Sequence, residues 1–552
     1  MPFSKFTLTS LAWDILWPWD TAFDDGTPVL LRTVEAIAHC PSVSRIAVLM
    51  PPGHGGFQRS VDQLLKRARV PRRKKIYPLP SAGRDPVLAA ELGRIRRLAP
   101  DAWRAGWAIP FAMAEWVEPV RLQGVMRSTG QEEALLFPSM APFVCTELVE
   151  ELVAGRAEAS GTGTRLATLP PGVCGDLVAA SYVDGVVAGG LPLDSGLRFI
   201  PGEPRRDLDT NGVYHWFPER WTALRHRMTI ESKRGLAIAG RIDEWRRSHG
   251  GDEIGGAWLS DFLESPDSGA VFSGPVPREL RVRITDQCRQ DAEFDVPSAN
   301  PDSPRYMDTD TFDRLVEELG RWQETRLVVT GGEALLHPEA LAFLQRARQA
   351  GVGSVVLETD GLGFDQNTRS QLVDRVDGVV VTIDAVEPAT YERIHGADRL
   401  AEVEAAVRAC IEEFAGKTRA PFVAVEMRES AVNADEVEPF LHRWFPHTPW
   451  VIVGPYRNRV GQLPGDPLHT YRMPRRRPCV RLEDQMLVEP DGRVAVCDND
   501  IHLRVEAGDV RRDRIEDLWS GGAFAGLRSA HAEESWDAHP LCGACTDWCR
   551  RG

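Results

Sequence analysis

Half of the cysteines in this chain are concentrated near one end. Ten cysteines occur in 552 residues, and five of them are Cys479, Cys497, Cys542, Cys545 and Cys549. That number is too small for a disulfide scaffold in so long a chain, whereas clustered cysteines are typical ligands of metal centres. Four thiolates can complete the ligand set of a 4Fe-4S cluster. The clustering therefore predicts a metal-binding module.

Two features of this segment would bring its thiolates together. Cys542 and Cys545 form a CxxC pair, which supplies two ligands from one tight loop. The Pro-Asp-Gly sequence at 490–492 is typical of a turn, and a hairpin there would return Cys497 to the start of the segment. Zinc is the alternative occupant, because four thiolates also satisfy a tetrahedral structural site.

A second candidate site is the sequence Val-Thr-Gly-Gly-Glu at 329–333. Gly331 and Gly332 would let the backbone approach a ligand closely, and Glu333 could accept a hydrogen bond from an ammonium group. The same sequence also suits an ordinary loop between a strand and a helix. It becomes a ligand site only if neighbouring strands bring further polar groups to the same edge.

The elements that must position these residues follow an α/β pattern. After residue 278, apolar runs of strand length alternate with amphipathic helices such as 401–414. This alternation predicts parallel strands with right-handed crossovers, closed into a full or partial β/α barrel. The predicted strands are 279–284, 326–330, 354–358, 378–383 and 422–426. Residues 1–245 also have the α/β pattern, and the glycine-rich passage near 245 indicates a boundary.

The cysteine segment resembles the SPASM domain, a C-terminal extension of many radical S-adenosylmethionine (SAM) enzymes. The resemblance covers about 479–549 and includes Val-Glu-Pro-Asp-Gly-Arg-Val-Ala-Val-Cys and Cys-Gly-Ala-Cys. It implies one 4Fe-4S cluster on Cys479, Cys497, Cys542 and Cys545. Cys549 either replaces one of these ligands or stays free.

The preceding region resembles the radical SAM barrel in the same order of motifs. These are Glu-Leu-Arg-Val-Arg-Ile-Thr-Asp-Gln-Cys at 279–288, Leu-Glu-Thr-Asp-Gly at 357–361 and Val-Thr-Ile-Asp-Ala at 381–385. Residues 331–333 resemble the GGEP element that holds the methionyl amine of SAM, with Ala334 in place of the usual proline. The resemblance implies a ligand site at Gly331, Gly332, Glu333 and Thr359.

The cysteine motif of that family is incomplete here. Radical SAM chemistry uses CxxxCxxC, whose three thiolates leave one iron open for SAM. This chain keeps Cys288 but has Ala292 and Asp295 at the other two positions. One thiolate and one carboxylate hold a cluster poorly, since its iron prefers sulfur ligands. We therefore expect loss of ordinary reductive SAM cleavage, with SAM still a candidate ligand.

The first 245 residues resemble nucleotidyltransferase-like folds of the GT-A type, on 24–37, 44–50 and 137–152. They lack the glycine-rich phosphate loop and the metal-binding aspartate expected near Met140. Asp20, Asp24 and Asp25 could compensate, although short Asp-rich turns are usually solvated loops. The segment 225–236 resembles the part that joins the two halves of spiro-SPASM proteins. With this segment included, most of the chain is similar to spiro-SPASM proteins.

The predicted fold class is thus α/β in three parts: an N-terminal nucleotidyltransferase-like domain at 1–245, a radical SAM-like barrel at 276–455 and a SPASM-like module at 456–552. Residues 246–275 are predicted to be a linker. The net charge of −15 argues against a nucleic-acid partner, and no apolar run of about 18 residues offers a membrane span. The N-terminus has no signal-peptide pattern, so a cytoplasmic location is expected.

Three functional hypotheses follow. The first is an iron-sulfur protein without ordinary SAM cleavage, whose cluster serves structure, substrate positioning or electron transfer. The second is an active radical SAM enzyme that modifies a peptide, sugar or nucleotide through an atypical first cluster. The third is a sugar-nucleotide or glycosyl transferase acting through the N-terminal domain. The partner in each case is a protein or a small-molecule substrate that the sequence does not identify.

Overall fold

The structure is a computed structural model of the chain. It describes residues 6–10, 22–23, 25–50, 59, 62–80, 119–158, 166–167, 169, 171–189, 214–215, 217–218, 221, 226–230, 233–252, 254–289, 303–322, 325–415, 417, 420–448, 450–465 and 476–548. The chain divides into two compact units, the first formed by 1–199 with 203–271 and the second by 200–202 with 272–552. Both units combine helices with parallel strands, which confirms the α/β class.

The first unit is built on a five-stranded sheet and a separate two-stranded ladder. In chain order its strands are Phe6–Ser10 (β1), Arg45–Met50 (β2), Lys75–Pro80 (β3), Glu133–Pro138 (β4), Leu166–Ala167 (β5), Asp176–Ala179 (β6) and Tyr214–His215 (β7). The large sheet has the order β3-β2-β1-β4-β6, and β5 pairs with β7. All pairs in the large sheet are parallel except β4 with β6.

The helices of the first unit are Val29–His39 (α1), Pro119–Thr129 (α2), Thr146–Ala154 (α3), Ala180–Ala188 (α4), Lys233–Ser248 (α5), Trp258–Glu264 (α6) and Asp267–Phe272 (α7). Helix α1 is buried on almost every side. Its one cation, Arg32, forms a buried ion pair with Asp243 of α5 at 2.5 Å. A buried charge needs such a partner, so this pair fixes α5 against α1.

The predicted linker 246–275 contains the end of α5 and all of α6 and α7. The backbone N–H of Thr146 donates to the carbonyl of Gly255 at 3.0 Å. Gly256 has φ +69°, and a Cβ there would lie 2.9 Å from the Cα of Cys145. The glycines that indicated a boundary therefore allow this segment to pack closely on the first unit. The four-part division of the chain remains a prediction.

The second unit begins with six parallel strands in sequential order. They are Glu279–Arg283 (β8), Arg326–Thr330 (β9), Ser354–Thr359 (β10), Gly378–Thr382 (β11), Phe422–Glu429 (β12) and Val451–Pro455 (β13). The first five confirm the strands predicted from the sequence, and β13 was not predicted. The helices between them are Thr309–Arg321 (α8), Ala340–Gln349 (α9), Gln366–Leu372 (α10), Pro388–His395 (α11), Leu400–Phe414 (α12) and Val437–Trp444 (α13).

Local sequence explains these elements. Asp308 caps α8 by accepting from the backbone N–H of Thr311 at 2.8 Å. Leu280 and Val282 of β8 belong to the hydrophobic core, whereas the intervening Arg281 does not. Alternate side chains of a strand point to opposite faces, so one face of the sheet packs in the core and the other carries charged groups.

The C-terminal part extends the same sheet. Gln485–Val488 (β14) pairs in parallel with β8, and Arg493–Ala495 (β15) and Glu506–Asp509 (β16) continue in antiparallel pairs. The turn between β14 and β15 contains Gly492 at φ +84°, which confirms the predicted hairpin. Three helices complete this part: Arg481–Asp484 (α14), Ile515–Ser520 (α15) and Gly522–Ala532 (α16). Within the ranges given above, no helix is long and apolar enough to cross a bilayer.

Candidate metal centre and ligand site

The turn after β9 lies against the loop that follows β8. Gly331 and Gly332 have φ values of +82° and +53°, which L side chains rarely adopt. A Cβ on Gly332 would lie 2.5 Å from the carbonyl oxygen of Gln287, and the backbone N–H of Glu333 donates to that same oxygen at 2.6 Å. The two glycines thus allow the predicted ligand turn to contact the loop that carries Cys288.

Glu333 is buried and hydrogen-bonded to the end of β10. Its carboxylate accepts from the Thr359 hydroxyl at 2.9 Å, from the Asp360 backbone N–H at 2.7 Å and from the Leu335 backbone N–H at 2.9 Å. Burial, with the nearby Asp360 carboxylate, raises the pKa of Glu333 to about 8. Gly331, Gly332, Glu333 and Thr359 therefore meet at one edge, where a cation would stabilise the carboxylate.

The loop after β8 is attached to the C-terminal hairpin at its base. Asp286 accepts from the backbone N–H and the Nε of Arg305 at 2.7 and 2.8 Å, and Arg305 also pairs with Asp491 at 2.9 Å. Cys288 is partly exposed, with its sulfur 3.9 Å from the carbonyl oxygen of Asp286. Ala292 and Asp295 lie outside the described residues.

Polar side chains line the inner face of the barrel sheet toward this edge. Arg281 of β8 pairs with Glu358 of β10 at 2.5 Å, and the Thr330 hydroxyl also donates to Glu358. Arg283 pairs with Glu489 at 3.0 Å. Charged groups on the concave face suit a polar ligand better than an apolar one.

Asp384 marks the end of β11 by an unusual backbone conformation. It has φ +62° and is fully buried, with ion pairs to Arg428 at 2.5 Å and His395 at 3.4 Å. Burial by itself would raise its pKa, but Arg428 and His395 outweigh that effect and lower the pKa to about 2. Backbone strain at the carboxyl end of a barrel strand is typical of functional sites.

The cysteine module assembles from three chain segments. The backbone N–H of Cys479 donates to His531 at 3.2 Å, and that of Val480 to the carbonyl of Trp548 at 3.0 Å. The backbone N–H of Cys545 donates to the carbonyl of Cys542 at 3.1 Å, which closes the CxxC turn. These bonds bring the loop that carries Cys479 beside the C-terminal segment. Cys549 lies outside the described residues.

The Asp500 carboxylate joins the loop after Cys497 to the loop before Cys542. It lies 3.5 Å from the Nε2 of His539, whose Nδ1 accepts from the Leu541 backbone N–H at 3.1 Å. The backbone N–H of Cys542 in turn donates to the His539 carbonyl. The ligand loops are therefore held by hydrogen bonds that do not involve sulfur.

Backbone N–H groups also point at the sulfurs. Asn499 donates to the Cys497 sulfur at 3.4 Å, and Asp547 donates to the Cys545 sulfur at 3.3 Å. Such N–H to sulfur bonds stabilise thiolates and are a recurring feature of iron-sulfur sites. The donor pattern therefore fits metal-bound thiolates.

Burial makes these thiols poor thiolates without a metal. It raises the pKa of Cys497 to about 11 and that of Cys542 to about 12, and it also raises those of Cys479 and Cys545. Each of the four interacts electrostatically with at least one of the others. Within the part of the chain that the structure describes, however, no three His, Cys, Asp or Glu side chains are already arranged to hold a metal.

Three arginines surround Asp498, the neighbour of Cys497. Arg457 lies 3.2 Å and Arg459 2.7 Å from its carboxylate, and Arg481 also pairs with it. Burial, with the charge of Arg481, lowers the pKa of Arg457 to about 10. The carboxylate of Asp547 also acts electrostatically on Arg457 and Arg481. A cluster with four thiolate ligands carries negative charge, so these guanidinium groups suit such a cluster.

Sequence reasoning found the cysteines and the glycine turn but missed these supporting residues. Asp498 and Asn499 directly follow Cys497, and their position beside a candidate ligand was the one feature of the sequence that could have indicated a role in the site. Arg457 and Arg459 come from the segment after β13, about 40 residues earlier in the chain. Asp25, proposed as part of an acidic loop, accepts from the Thr27 backbone N–H and lies 3.4 Å from Arg32.

Two solved structures match part of this chain at low sequence identity. BtrN in complex with AdoMet and 2-DOIA is 17% identical, with a TM-score of 0.34, and the match covers 48% of this chain and 92% of that chain. Streptococcus suis SuiB bound to the precursor peptide SuiA is 10% identical, with a TM-score of 0.39, and the match covers 63% and 79%.

Among curated relatives, an uncharacterized protein of Treponema pallidum is 27% identical over 229 residues, which are 39% of this chain and 62% of that protein. The GTP 3',8-cyclase of Hydrogenovibrio crunogenus is 26% identical over 167 residues, 29% of this chain and 49% of the enzyme. The GTP 3',8-cyclase of Streptomyces coelicolor is 27% identical over 208 residues, which are 36% of this chain and 57% of that enzyme. This chain thus spans less than two thirds of the length of each of these relatives.

Two family models match the second unit. The radical SAM superfamily matches residues 287–430, which hold the glycine turn and Thr359. The iron-sulfur cluster-binding SPASM domain matches residues 479–546, which hold Cys479, Cys497, Cys542 and Cys545. The matched residues are those that form the ligand edge of the barrel and the buried sulfur site. The chain therefore carries a radical SAM domain followed by a SPASM iron-sulfur cluster-binding domain.

Proposed function

We propose that this chain is an iron-sulfur protein that holds one 4Fe-4S cluster on Cys479, Cys497, Cys542 and Cys545 and does not cleave SAM by the ordinary reductive route. The cluster serves structure, substrate positioning or electron transfer. The observation that carries this proposal is the set of four thiols, one buried and three partly buried, with N–H donors on two of the sulfurs. The loop after β8 offers Cys288 as its one thiolate.

The missing thiolates support the absence of the ordinary radical reaction. An iron that is open to SAM requires a cluster anchored by three other ligands, and Ala292 cannot ligate. Asp295 would offer a hard oxygen ligand to a metal that prefers sulfur. When bound, the SPASM cluster supplies one-electron redox chemistry and a rigid anchor for the ligand loops. The chain's own N–H groups and arginines stabilise its thiolates.

The ligand edge supports retained binding of an ammonium compound such as SAM. Glu333 is a buried carboxylate beside Asp360, and a bound ammonium group would offset this repulsion. Because a hydrogen bond to a charged group contributes about 1.5–3 kcal/mol, Glu333→Gln is expected to weaken SAM binding roughly tenfold or more. Equilibrium dialysis with labelled SAM measures this affinity, and Glu339→Gln, at an exposed position just before α9, is the control. Equal affinities in all three proteins would argue against a role for Glu333.

The first test of the cluster is a metal count. Protein purified without oxygen is analysed for iron, sulfide and zinc as wild type, as Cys542→Ala with Cys545→Ala, and as Cys288→Ala. Cys410→Ala, a buried cysteine of α12, is the control. We expect about four irons per chain, lost only in the double variant. Zinc without iron would contradict the iron-sulfur proposal. Loss of iron in Cys288→Ala would indicate instead that the barrel also binds a cluster.

The same preparations separate this proposal from the radical-enzyme alternative. Wild-type protein with SAM and a strong reductant is expected to form no 5'-deoxyadenosine above a control without protein. Formation of 5'-deoxyadenosine that disappears in Cys288→Ala would overturn the proposal. Such a result would show that Cys288 and unusual partners hold an active cluster.

We further propose that the first unit is nucleotidyltransferase-like in fold without being a transferase. The central strands of its sheet are parallel, which supports this fold. Open α/β sheets of this kind bind ligands where the strand order reverses. The position expected to hold a metal carboxylate is Met140, which is buried and bonded through its carbonyl to the Ile230 backbone N–H at 2.8 Å. Turnover of an NTP or nucleotide sugar with Mg²⁺ would contradict this view.

A further inference from the structure

Asn499 connects the two sulfur-bearing loops of the module. Its backbone N–H donates to the Cys497 sulfur at 3.4 Å, and its side-chain amide nitrogen lies 3.8 Å from the Cys545 sulfur. The same nitrogen donates to the Asp547 carboxylate at 3.4 Å. Asn499 is 1% exposed, so water does not compete for these bonds. One buried residue therefore faces two of the four predicted ligands.

The orientation of this amide follows from its neighbours. Arg459 lies 3.4 Å from Oδ1 of Asn499 and can only donate, whereas the Asp547 carboxylate can only accept. Exchanging the amide oxygen and nitrogen would set donor against donor and acceptor against acceptor. The Asn499 carbonyl also accepts from the Gln462 side chain at 2.6 Å, which holds the backbone in place. Arg459 and Asp547 thus determine that the side-chain N–H of Asn499, and not its oxygen, faces the Cys545 sulfur.

We propose that Asn499 is a positioning residue that raises the reduction potential of the cluster by donating its side-chain N–H to the Cys545 sulfur. The inference rests on the proposed function, since it requires a cluster on these cysteines. Hydrogen bonds to sulfur draw electron density from the thiolate and stabilise the more negative, reduced form of the cluster. Loss of such a donor lowers the potential.

The side chain of Asn499 is the adjustable part of this arrangement. The other N–H donors, from the backbones of Asn499 and Asp547, persist in any side-chain variant of Asn499. Asn499→Ala therefore removes one donor and leaves the rest. Asn499→Asp keeps the shape but replaces the donor with a carboxylate beside Asp547 and the thiolate. The added negative charge opposes reduction, so this variant should have the lowest potential.

The test is a redox titration of the intact, cluster-loaded protein, followed by electron paramagnetic resonance. Its readout is a midpoint potential and does not depend on any enzymatic activity. We expect wild-type iron content, a more negative midpoint in Asn499→Ala, and a still more negative midpoint in Asn499→Asp. Asn458→Ala is the matched control, because that amide bonds only to Gly461 and Gly465 among the residues that the structure describes.

An unchanged or more positive midpoint in Asn499→Ala, with iron retained, overturns the inference. The titration reports only loaded clusters, so partial loss of iron leaves the result readable. Complete loss of iron in both variants, with normal circular dichroism and a loaded Asn458→Ala protein, also overturns the inference, because Asn499 would then be required to bind the cluster rather than to set its potential. A wild-type protein without iron contradicts the proposed function itself, which keeps the two failures distinct.

Discussion

The Thr359 hydroxyl lies 2.9 and 3.0 Å from the two carboxylate oxygens of Glu333, so the end of β10 is bonded to the turn after β9. This contact holds the carboxylate at the carboxyl edge of the barrel sheet. It provides one hydrogen and therefore does not neutralise the charge. Burial and the Asp360 carboxylate raise the pKa of Glu333 to about 8, so the group is largely protonated at neutral pH when no cation is bound.

Replacing Glu333 by Gln should change how stability depends on pH. The native state of the wild type holds a proton that the unfolded state has already lost, because the folded pKa is the higher one. Wild-type stability therefore falls as the pH rises from the ordinary value of 4.5 to about 8. Glu333→Gln has no such proton. Over this pH range its free energy of unfolding, measured relative to that of the wild type, should therefore rise by up to roughly 1.4 kcal/mol per pH unit. Urea unfolding without SAM, at several pH values, measures this difference.

Glu339→Gln is a suitable comparison, because Glu339 is exposed and accepts a hydrogen bond from the Thr309 hydroxyl. Its unfolding curves should follow those of the wild type at every pH. Parallel pH dependence in Glu333→Gln and wild type would contradict the assignment of a raised pKa to Glu333.

Gly332→Ala should destabilise the barrel more than an equivalent change elsewhere. At φ +53°, a Cβ would lie 2.5 Å from the Gln287 carbonyl and 2.9 Å from the carbonyl carbon of Asp286, both of which are backbone atoms. Gly351 has φ +81° but meets nothing within 4 Å, so Gly351→Ala isolates the cost of the backbone conformation. That cost is about 1 kcal/mol, and the clash should add roughly 2 kcal/mol more. Denaturant unfolding compares the two, and equal losses would rule out a tight contact at Gly332.

How far the sequence predicts this structure depends on what each residue contacts. Strands β8 to β12 were predicted because buried parallel strands have long apolar runs. Strand β13 was missed because all five of its residues are only partly buried and it ends in Gly-Pro. Cys479 and Cys497 were recognised by type and spacing. Asn499 was not, since its role depends on partners from other segments.

Trp519 of α15 should couple the C-terminal module to the start of the second unit. Its Nε1 donates to the Ser273 carbonyl at 3.0 Å, and the guanidinium of Arg528 lies 4.1 Å from its ring centroid. Trp519→Phe removes this hydrogen bond and should cost about 1–2 kcal/mol. Trp519→Ala also removes a fully buried ring and should cost about 3–5 kcal/mol. Thermal unfolding can be followed with one probe in the C-terminal module and one in the barrel. In each variant the unfolding midpoints reported by the two probes should fall together, and separate transitions would contradict a shared core.

Asp384→Asn tests the buried ion pairs at the end of β11 without disturbing the backbone, because Asn tolerates the left-handed conformation as well as Asp does. At neutral pH, removing one member of a buried ion pair should cost roughly 3–5 kcal/mol. The folded pKa of about 2 is lower than the ordinary 3.8, so the charged group stabilises the fold above the ordinary value. That stabilisation is lost as the pH falls toward 2.

The stability gap between wild type and Asp384→Asn should therefore narrow in acid. Urea unfolding at a series of pH values from neutral to acid gives the measurement, with Asp374→Asn on an exposed position as the control. A gap that stays constant throughout would mean that the loss comes from packing rather than from charge. Narrowing of the gap, with no change in the control, would show that Arg428 and His395 stabilise the ionised form of this strained residue.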